Sequence, residues 1–316
     1  MTLKQPNMPG YPQSEADMVS EALRRPLAEK ITCAVELLRL WEPKALELSP
    51  AGYWLAYSGG KDSECILELA RMAGVRHRPV YNVTTIDPPE LVRFIKRAHP
   101  EVEFNRPAKH LLTRLPDLHC GPPMRRARWC CREYKEAGGD GLVKIIGVRI
   151  AESPNRAKLW RASVPNRRGG MMVCPIAYWT DRDVWAFHRE RGLPHCCLYD
   201  QGFKRLGCMG CPNATRRETA AHFARWPRYE AAWRRAVGRY WLAAHDGTPW
   251  VSGFPTAQAL WDWWRSGKRQ GPRQACQGEF LFSGEATPAR AAGAAAGDAA
   301  RDAQSEWLRA MRPRFE

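Results

Sequence analysis

The sequence predicts an α/β fold: a mostly parallel sheet with helices on both faces and helical additions at both ends. From residue 53 onward, short apolar runs typical of strands alternate with segments of helical periodicity. A pair of glycines also joins the first predicted strand directly to the first predicted helix. In open sheets of this class, ligands bind beyond the carboxyl ends of the strands, so we expect the functional site there.

The predicted elements follow this alternation along the chain. Apolar residues at helical spacing indicate one or two amphipathic helices within residues 18–48. Thr180 and Asp183 form a sequence typical of a capping box, and Gly192 is typical of a helix end. The predicted strands are 53–57, 79–84, 102–105, 142–150 and 171–176. The predicted helices are 62–73, 89–98 and 181–191, with a further helical region at 122–136.

Composition limits the class of protein. The chain has 316 residues, a hydrophobic content of 44% and a net charge of +16, which suits a folded protein with a sizeable core. No apolar run approaches the roughly 18 residues of a membrane span, and no leader pattern is present, so we expect a cytoplasmic location without membrane association. Eleven cysteines in such a chain indicate metal or redox chemistry more than disulfides.

The most informative segment reads Ser-Gly-Gly-Lys-Asp-Ser at residues 58–63, between the first strand and the next helix. Its glycines let backbone N–H groups turn toward an anion at the helix N-terminus, and Lys61 adds a positive charge. Leu55 and Asp62 do not match the common P-loop pattern. The segment resembles instead the PP-loop of enzymes that bind adenine nucleotides and act at the α-phosphate or at a sulfate attached to it.

The basic charge is concentrated. Residues 106–168 hold 15 Lys and Arg against 5 Asp and Glu, including the run Arg125-Arg126-Ala-Arg128. This excess indicates a polyanionic ligand, which a nucleotide with several phosphates or a nucleic acid would satisfy. A solvated basic surface is the alternative interpretation.

Two cysteine pairs suggest a metal centre. Cys130 and Cys131 are adjacent, and Cys208 and Cys211 are separated by two residues. Four thiolates suit an iron–sulfur cluster or zinc, and adjacent cysteines fit an extended cluster more easily than one tetrahedral ion. Incidental buried cysteines are the alternative. Further thiols that could form a redox pair, or be structural, are Cys120, Cys174, Cys196 and Cys197.

Five segments in order look like the phosphoadenosine phosphosulfate (PAPS) and adenosine phosphosulfate (APS) reductase family, over roughly residues 50–215. They are residues 58–63, Cys130-Cys131, residues 147–156, residues 175–185 and Cys208-x-x-Cys211. The sequences of residues 81–90 and 202–208 resemble those of a mobile-element-associated branch of this family. The cysteine arrangement is similar to that of the members that carry a [4Fe–4S] cluster.

This resemblance implies roles for individual residues. The cluster ligands would be Cys130, Cys131, Cys208 and Cys211. The phosphate or sulfate end of the nucleotide (ATP, APS or PAPS) would be held by Ser58, Gly59, Gly60, Lys61, Asp62 and Ser63. Arg149 and Arg156 would neutralise its charge, since a guanidinium pairs two oxygens at once. Asp87 would lie near the nucleotide, and its alternative role is the N-cap of the helix that follows Pro88.

One family feature is absent from the sequence. Reductases of this family attack the sulfate with a cysteine in a C-terminal Glu-Cys-Gly-Leu-His segment and are then reduced by a thioredoxin-like protein. Here Cys276 is the only cysteine after Cys211, and only Arg273 is nearby to activate it. A second function is therefore open: ATP-dependent sulfur transfer to DNA or tRNA by a related PP-loop enzyme, with the basic surface binding nucleic acid.

We divide the chain into four parts. Residues 1–50 are an N-terminal helical extension, and residues 51–205 are the PP-loop nucleotide-binding domain. Residues 206–268 hold the second cysteine pair and tryptophan-rich helices, whose tryptophans we expect in a core rather than on a base-stacking surface. Residues 269–316 are rich in alanine, glycine and charge and are predicted to be a disordered tail.

Overall fold

The computed structural model describes residues 15–125, 127–245 and 247–267. Its centre is a six-stranded sheet in which β1 to β4 and β6 are parallel and β5 is antiparallel to β6. The spatial order is β3-β2-β1-β4-β6-β5. The strands are β1 (Tyr53–Tyr57), β2 (His77–Asn82), β3 (Glu103–Asn105), β4 (Val143–Ile145), β5 (Ser163–Pro165) and β6 (Met171–Val173). The predicted fold class, a mostly parallel α/β sheet with helices, is confirmed.

Helices precede, cover and follow this sheet. They are α1 (Glu15–Arg24), α2 (Leu27–Leu48), α3 (Lys61–Ala73), α4 (Pro89–Ala98), α5 (Leu111–Arg114), α6 (Pro154–Leu159), α7 (Asp181–Arg191), α8 (Arg216–Arg225), α9 (Pro227–Ala244), α10 (Pro249–Ser252) and α11 (Ala257–Ser266). The capping box of α7 is present, with Thr180 and Asp183 bonded reciprocally and Gly192 in the left-handed conformation. The predicted helical pair within residues 18–48 corresponds to α1 and α2.

The structure corrects three local predictions. The helical region 122–136 is only partly confirmed: residues 129–135 are helical, whereas the described residues before them are irregular, because Pro122 and Pro123 cannot donate helical hydrogen bonds. The strand predicted at 142–150 stops at Ile145, and the chain continues into the site as a loop. Strand β5 was not predicted; it is three residues long, too short for a clear periodicity.

The first hydrophobic cluster joins the sheet to its covering helices. Leu55 of β1, Ile66 of α3 and Ile145 of β4 are fully buried in it. Leu38 of α2 is also fully buried there, and Lys30 of α2 is paired with Asp183 of α7 at 2.7 Å. The N-terminal helix is thereby fixed to the helix that carries part of the site described below.

The second hydrophobic cluster is rich in tryptophan. Trp233, Trp250 and Trp261 are 0–3% exposed and pack with helices α8 to α11. Residues 111–134 contribute to the same cluster. Among the tryptophans expected in a core, Trp233 and Trp261 are buried, whereas Trp241, Trp263 and Trp264 are half-buried against the cluster.

The predicted tail at 269–316, with Cys276, lies outside the described residues. Among the described helices, none combines the length and apolar character needed to cross a bilayer.

Candidate functional site

The site lies where the strand order reverses. Strands β2 and β3 extend the sheet on one side of β1, and β4, β6 and β5 extend it on the other. The loops that follow β1 and β4 therefore diverge and leave a crevice at the carboxyl edge of the sheet, the usual ligand position in this class. Residues 58–60 occupy the first loop, and residues 146–152 occupy the second.

The first loop has the geometry of an anion site. Gly59 has a φ of +70°, and an ideal Cβ there would lie 2.7 Å from side-chain carbons of Leu91 and Ile95, so a side chain is excluded. Gly60 is the N-cap of α3 and contributes no side-chain cap. Ser63 Oγ donates to Gly60 O at 2.7 Å and lies 3.3 Å from Ser58 Oγ. Ser63 is buried and Ser58 is exposed, and both hydroxyls lie at the N-terminus of α3, the end of a helix that favours anions.

A buried charge network surrounds the loop. The Lys61 ammonium is 5% exposed and pairs with Asp181 at 3.1 Å and with Asp62 at 3.6 Å. Arg149, 4% exposed, places Nε 2.6 Å from Asp62 and Nη2 3.3 Å from Asp181. The structure therefore brings Lys61, Asp62 and Arg149 together as predicted. Asp181 was missed by the sequence analysis, although it stands at the first position of α7 within a family-like segment.

The backbone of Lys61 is bonded on both sides by side chains from a distant part of the chain. Its N–H donates to the Tyr199 hydroxyl at 2.9 Å, and its carbonyl lies 2.9 Å from His188 Nε2. Burial lowers the pKa of His188, so the neutral ring donates through Nε2. Neither residue was singled out from the sequence, because contacts between segments so far apart leave no periodic signal.

A cluster of arginines extends from the network toward the cysteines. Arg156 is bonded to Glu152, and burial lowers the pKa of Arg156, as do the neighbouring charges of Arg205, Arg149 and Arg128. Arg205 makes no hydrogen bond or ion pair within the described part of the chain. Each of these positive charges lowers the pKa of Arg156, and a bound anion would offset their repulsion. Arg205 also was not singled out from the sequence.

Asp87 lies on the cysteine side of the crevice. Its carboxylate is 7% exposed and accepts a hydrogen bond from Thr84 N at 2.9 Å. The alternative role as a helix cap is wrong, because Pro88 occupies the N-cap position of α4. Thr84 Oγ1 in turn lies 3.4 Å from Cys208 Sγ, and the charge of Asp87 contributes to the raised pKa of Cys208.

The two cysteine pairs lie close enough to influence one another. The hydrogen bond between the Cys130 and Cys131 side chains raises the pKa of Cys130 and lowers the pKa of Cys131 to about 6. The charge of Arg128 lowers the pKa of Cys131 further. The thiols of Cys208 and Cys211 also contribute to the raised pKa of Cys130. Burial raises the pKa of Cys208 to about 12.

The donor chemistry fits an iron–sulfur cluster. All four groups are thiols, and Arg128 Nη1, 3.8 Å from Cys131 Sγ, favours the thiolate form. Within the ranges that the structure describes, no three His, Cys, Asp or Glu side chains stand at the spacing of a single metal ion. A four-iron cluster takes one thiolate at each iron and accommodates ligands that are further apart.

The second cysteine pair is held by hydrogen bonds to irregular backbone. Met209 N donates to Ile86 O at 2.9 Å, in the loop after β2. Trp233 Nε1 donates to Met209 O at 3.0 Å, and its ring covers Gly210, whose φ is +72°. The tryptophan-rich cluster therefore positions Cys208 and Cys211 against the carboxyl edge of the sheet.

The other thiols differ in exposure. Cys120, Cys174 and Cys196 are buried, as expected for structural cysteines, whereas Cys197 is exposed. None of the four forms a disulfide. Burial raises the pKa of Cys196 to about 11, which disfavours its thiolate.

A parallel α/β sheet with the Ser-Gly-Gly-Lys-Asp-Ser loop at its switch point defines a PP-loop protein. The chain belongs to the phosphoadenosine phosphosulfate reductase domain family, which matches residues 52–214. The predicted family is thereby confirmed.

Relatives of known sequence agree with this assignment. An uncharacterized 37.8 kDa protein of Escherichia phage 186 is 36% identical over 132 residues, which are 36% of this chain and 40% of that protein. The adenosine 5'-phosphosulfate reductase of Staphylococcus epidermidis is 34% identical over 102 residues, 31% of this chain and 42% of that protein. The chain thus spans less than half of the length of these relatives.

Among solved structures, the phosphoadenylyl-sulfate reductase of Candida auris in a phosphate complex aligns with a TM-score of 0.41 and 15% identity. The alignment covers 63% of this chain and 97% of that one.

Proposed function

We propose that this protein is a PAPS/APS reductase-type enzyme, which binds an adenine sulfonucleotide at residues 58–63 and reduces the activated sulfate to sulfite. The observation that carries the proposal is a continuous series of interacting groups from the anion loop to the thiols. Arg149 contacts Asp62 of the loop, the charges of Arg149 and Arg128 both lower the pKa of Arg156, and Arg128 Nη1 lies 3.8 Å from Cys131 Sγ. An anion held at the loop would therefore extend along basic residues toward the cysteines.

The loop residues would bind the phosphosulfate end of the nucleotide. Ser58, Ser63 and the N-terminus of α3 would supply hydrogen-bond donors in place of the bonds that they now make, and Lys61 would supply a charge. Arg149 and Arg156 now pair with carboxylates, and these pairs would exchange for phosphate and sulfonyl oxygens.

Cys130, Cys131, Cys208 and Cys211 would hold the [4Fe–4S] cluster. When bound, such a cluster would polarise or orient the sulfonyl group. Asp87, buried beside Cys208, and Arg128, beside Cys131, would set the charge around the cluster.

Two electrons for the reduction would come from thiols. A thiolate attacks the sulfate sulfur, the bond between sulfur and the phosphate oxygen breaks, and AMP or adenosine 3',5'-bisphosphate leaves. A second thiol then attacks the resulting thiosulfonate, which releases sulfite and leaves a disulfide. A thioredoxin-like protein is the proposed reductant, because a protein dithiol would supply both thiols and hold the resulting disulfide.

A second candidate is ATP-dependent sulfur transfer to DNA or tRNA. The exposed guanidiniums of Arg125, Arg128 and Arg205 near the cysteines favour it, since they would contact a nucleic-acid backbone. Such an enzyme would activate its acceptor as an adenylate and release pyrophosphate.

Product analysis separates the two functions. The protein, purified without oxygen, is incubated separately with ATP, APS and PAPS in the presence of a thiol reductant. Sulfite together with AMP or adenosine 3',5'-bisphosphate establishes the reductase. AMP and pyrophosphate from ATP, stimulated by DNA or tRNA, would establish the sulfur-transfer enzyme and refute the reductase proposal.

A further inference from the structure

The backbone of Lys61 is hydrogen-bonded by two side chains that lie outside the motif of residues 58–63. The two residues that bond its backbone, His188 and Tyr199, belong to α7 and the loop after it. They are 127 and 138 residues away from Lys61 in the sequence. The motif lysine is thus aligned by a second segment of the chain.

The Tyr199 hydroxyl occupies the N-terminus of α3. It accepts the N–H of Lys61, one of the amides that a helix leaves unpaired at its start. An ideal Cβ on Gly60 would lie 3.4 Å from this hydroxyl and 3.5 Å from Ser58 Oγ, so the two hydroxyls flank the same space. Within the described residues, no oxygen accepts the hydrogen of the Tyr199 hydroxyl. This donor is therefore available to a ligand.

His188 bonds the other side of the Lys61 residue. Its side chain is buried, and Nε2 donates to the Lys61 carbonyl, while Nδ1 has no partner in the described part of the chain. A buried neutral imidazole at this carbonyl restrains the first turn of α3 without adding charge. His188 lies behind the loop, so it acts through Lys61.

Trp185 fixes the orientation of both residues. Its ring centroid lies 5.2 Å from that of His188 and 5.3 Å from that of Tyr199, the second in an edge-to-face arrangement. His195 also packs against Trp185 and Tyr199. Packed aromatic rings lose little further freedom when a ligand binds, which favours a preorganised donor.

We propose that Tyr199 is an anion-binding residue of the loop, donating its hydroxyl hydrogen to a phosphate or sulfonyl oxygen, and that His188 is a positioning residue for Lys61. This inference rests on the proposed function, in which the loop holds the charged end of an adenine nucleotide. The Tyr199 hydroxyl would accept a hydrogen bond from the Lys61 N–H and donate one to the anion. The first hydrogen bond polarises the hydroxyl and so strengthens the second.

The tyrosine is tested by Tyr199→Phe, which keeps the ring on Trp185 and removes only the hydroxyl. Tyr240→Phe is the matched control, since Tyr240 donates to His119 O at 3.0 Å in the tryptophan-rich cluster. Affinities for APS, inorganic pyrophosphate and adenosine are measured by calorimetry. We expect Tyr199→Phe to weaken APS and pyrophosphate about tenfold and to leave adenosine unchanged, since one hydrogen bond to a charged group is lost.

Each other outcome is informative. An equal loss for adenosine and APS would make Tyr199 merely structural, and tighter binding would show that it competes with the anion; both overturn the inference. If wild-type protein binds pyrophosphate but not APS, the proposed function fails. In that case the effect of Tyr199→Phe on the affinity for pyrophosphate still decides the role of Tyr199. If it binds neither, the loop is not an anion site and both proposals fail.

His188 is tested by a pair of variants. His188→Leu removes the donor to the Lys61 carbonyl, and His188→Gln retains an N–H of similar reach. We expect His188→Leu to weaken pyrophosphate binding several-fold. We expect His188→Gln to retain part of the affinity that His188→Leu loses. Equal losses in both variants, or none in either, would exclude a positioning role for the imidazole N–H.

Discussion

The loop of residues 58–63 and the four cysteines lie at the same edge of the sheet, but different interactions determine their conformations. The loop joins a strand to a helix, and its conformation follows from Gly59 at a positive φ and from the N-terminus of α3. The cysteines lie on a single helical turn and on a glycine turn, outside the sheet. They depend on contacts with the second hydrophobic cluster for their position.

The two regions also differ in how their charges are balanced. At the loop, Lys61 and Arg149 are paired with Asp62 and Asp181, so a complete network exists without ligand. At the cysteines, the mutual hydrogen bond moves the pKa values of Cys130 and Cys131 apart. The charged side chains of the first region are therefore paired with one another, whereas in the second region the neighbouring thiols shift each other's pKa.

The largest effect is expected at the cysteines. Protein purified without oxygen should be brown with about four irons per chain, and Cys208→Ser should lose the colour and the iron. Cys174→Ser is the control, because Cys174 is a buried thiol of the first hydrophobic cluster. Iron content and visible absorption are the measurements. A colourless protein that contains zinc would contradict the cluster.

The next effect is expected at the loop. Lys61→Ala should weaken binding of APS, PAPS or ATP about a hundredfold, because a buried charge that faces the anion is lost. Lys30→Ala is a matched control, since Lys30 is also a buried lysine paired with an aspartate, away from the loop. Calorimetry gives the affinities and thermal unfolding gives the stability. Equal affinity in wild type and Lys61→Ala would remove the central inference about the loop.

A smaller effect of opposite sign is expected from Asp181→Asn. Asp181 is 64% exposed and pairs with Lys61 and Arg149, so it competes with an incoming anion for both. We expect APS to bind about threefold more tightly, and less so at high salt. Asp200→Asn is the control, since Asp200 is similarly exposed but pairs with His195. Weaker binding in Asp181→Asn would show that Asp181 holds the cations in place.

The smallest effect compares His99 and His222, two histidines outside these regions whose pKa values shift in opposite directions. Burial lowers the pKa of His99, but hydrogen bonds and charges from Glu64 and Glu101 outweigh it, and the net pKa is raised. The stability that His99 contributes is therefore present below its unfolded pKa of about 6.5 and is lost as the pH rises through the folded value. Burial lowers the pKa of His222, so its contribution is present above about 6.5 and is lost as the pH falls.

Urea unfolding at about pH 6 and pH 8 tests this contrast. The difference in free energy of unfolding between wild type and His99→Gln should shrink as the pH rises. The difference for His222→Gln should grow over the same range. The same trend in both variants would contradict the opposite pKa shifts.

Local features were predictable and long irregular segments were not. The capping box of α7 and the glycines of the loop were recognised because each depends on residues a few positions apart. Residues 122–136 were predicted as one helical region, but the described residues before 129 are irregular, because Pro122 and Pro123 cannot donate helical hydrogen bonds. Asp87 has the residue type of a helix cap, yet its carboxylate turns to Thr84.

The sequence by itself determined the class of the fold, the glycine turn within residues 58–63 and the helix that follows it, since short-range patterns specify glycine turns and helix starts. Only the tertiary structure decided which distant groups complete the loop. Asp181, His188 and Tyr199 reach Lys61 through the packing of α7 and the following loop on α3. Such partners are selected by shape and burial between segments far apart in the chain, and no local periodicity encodes them.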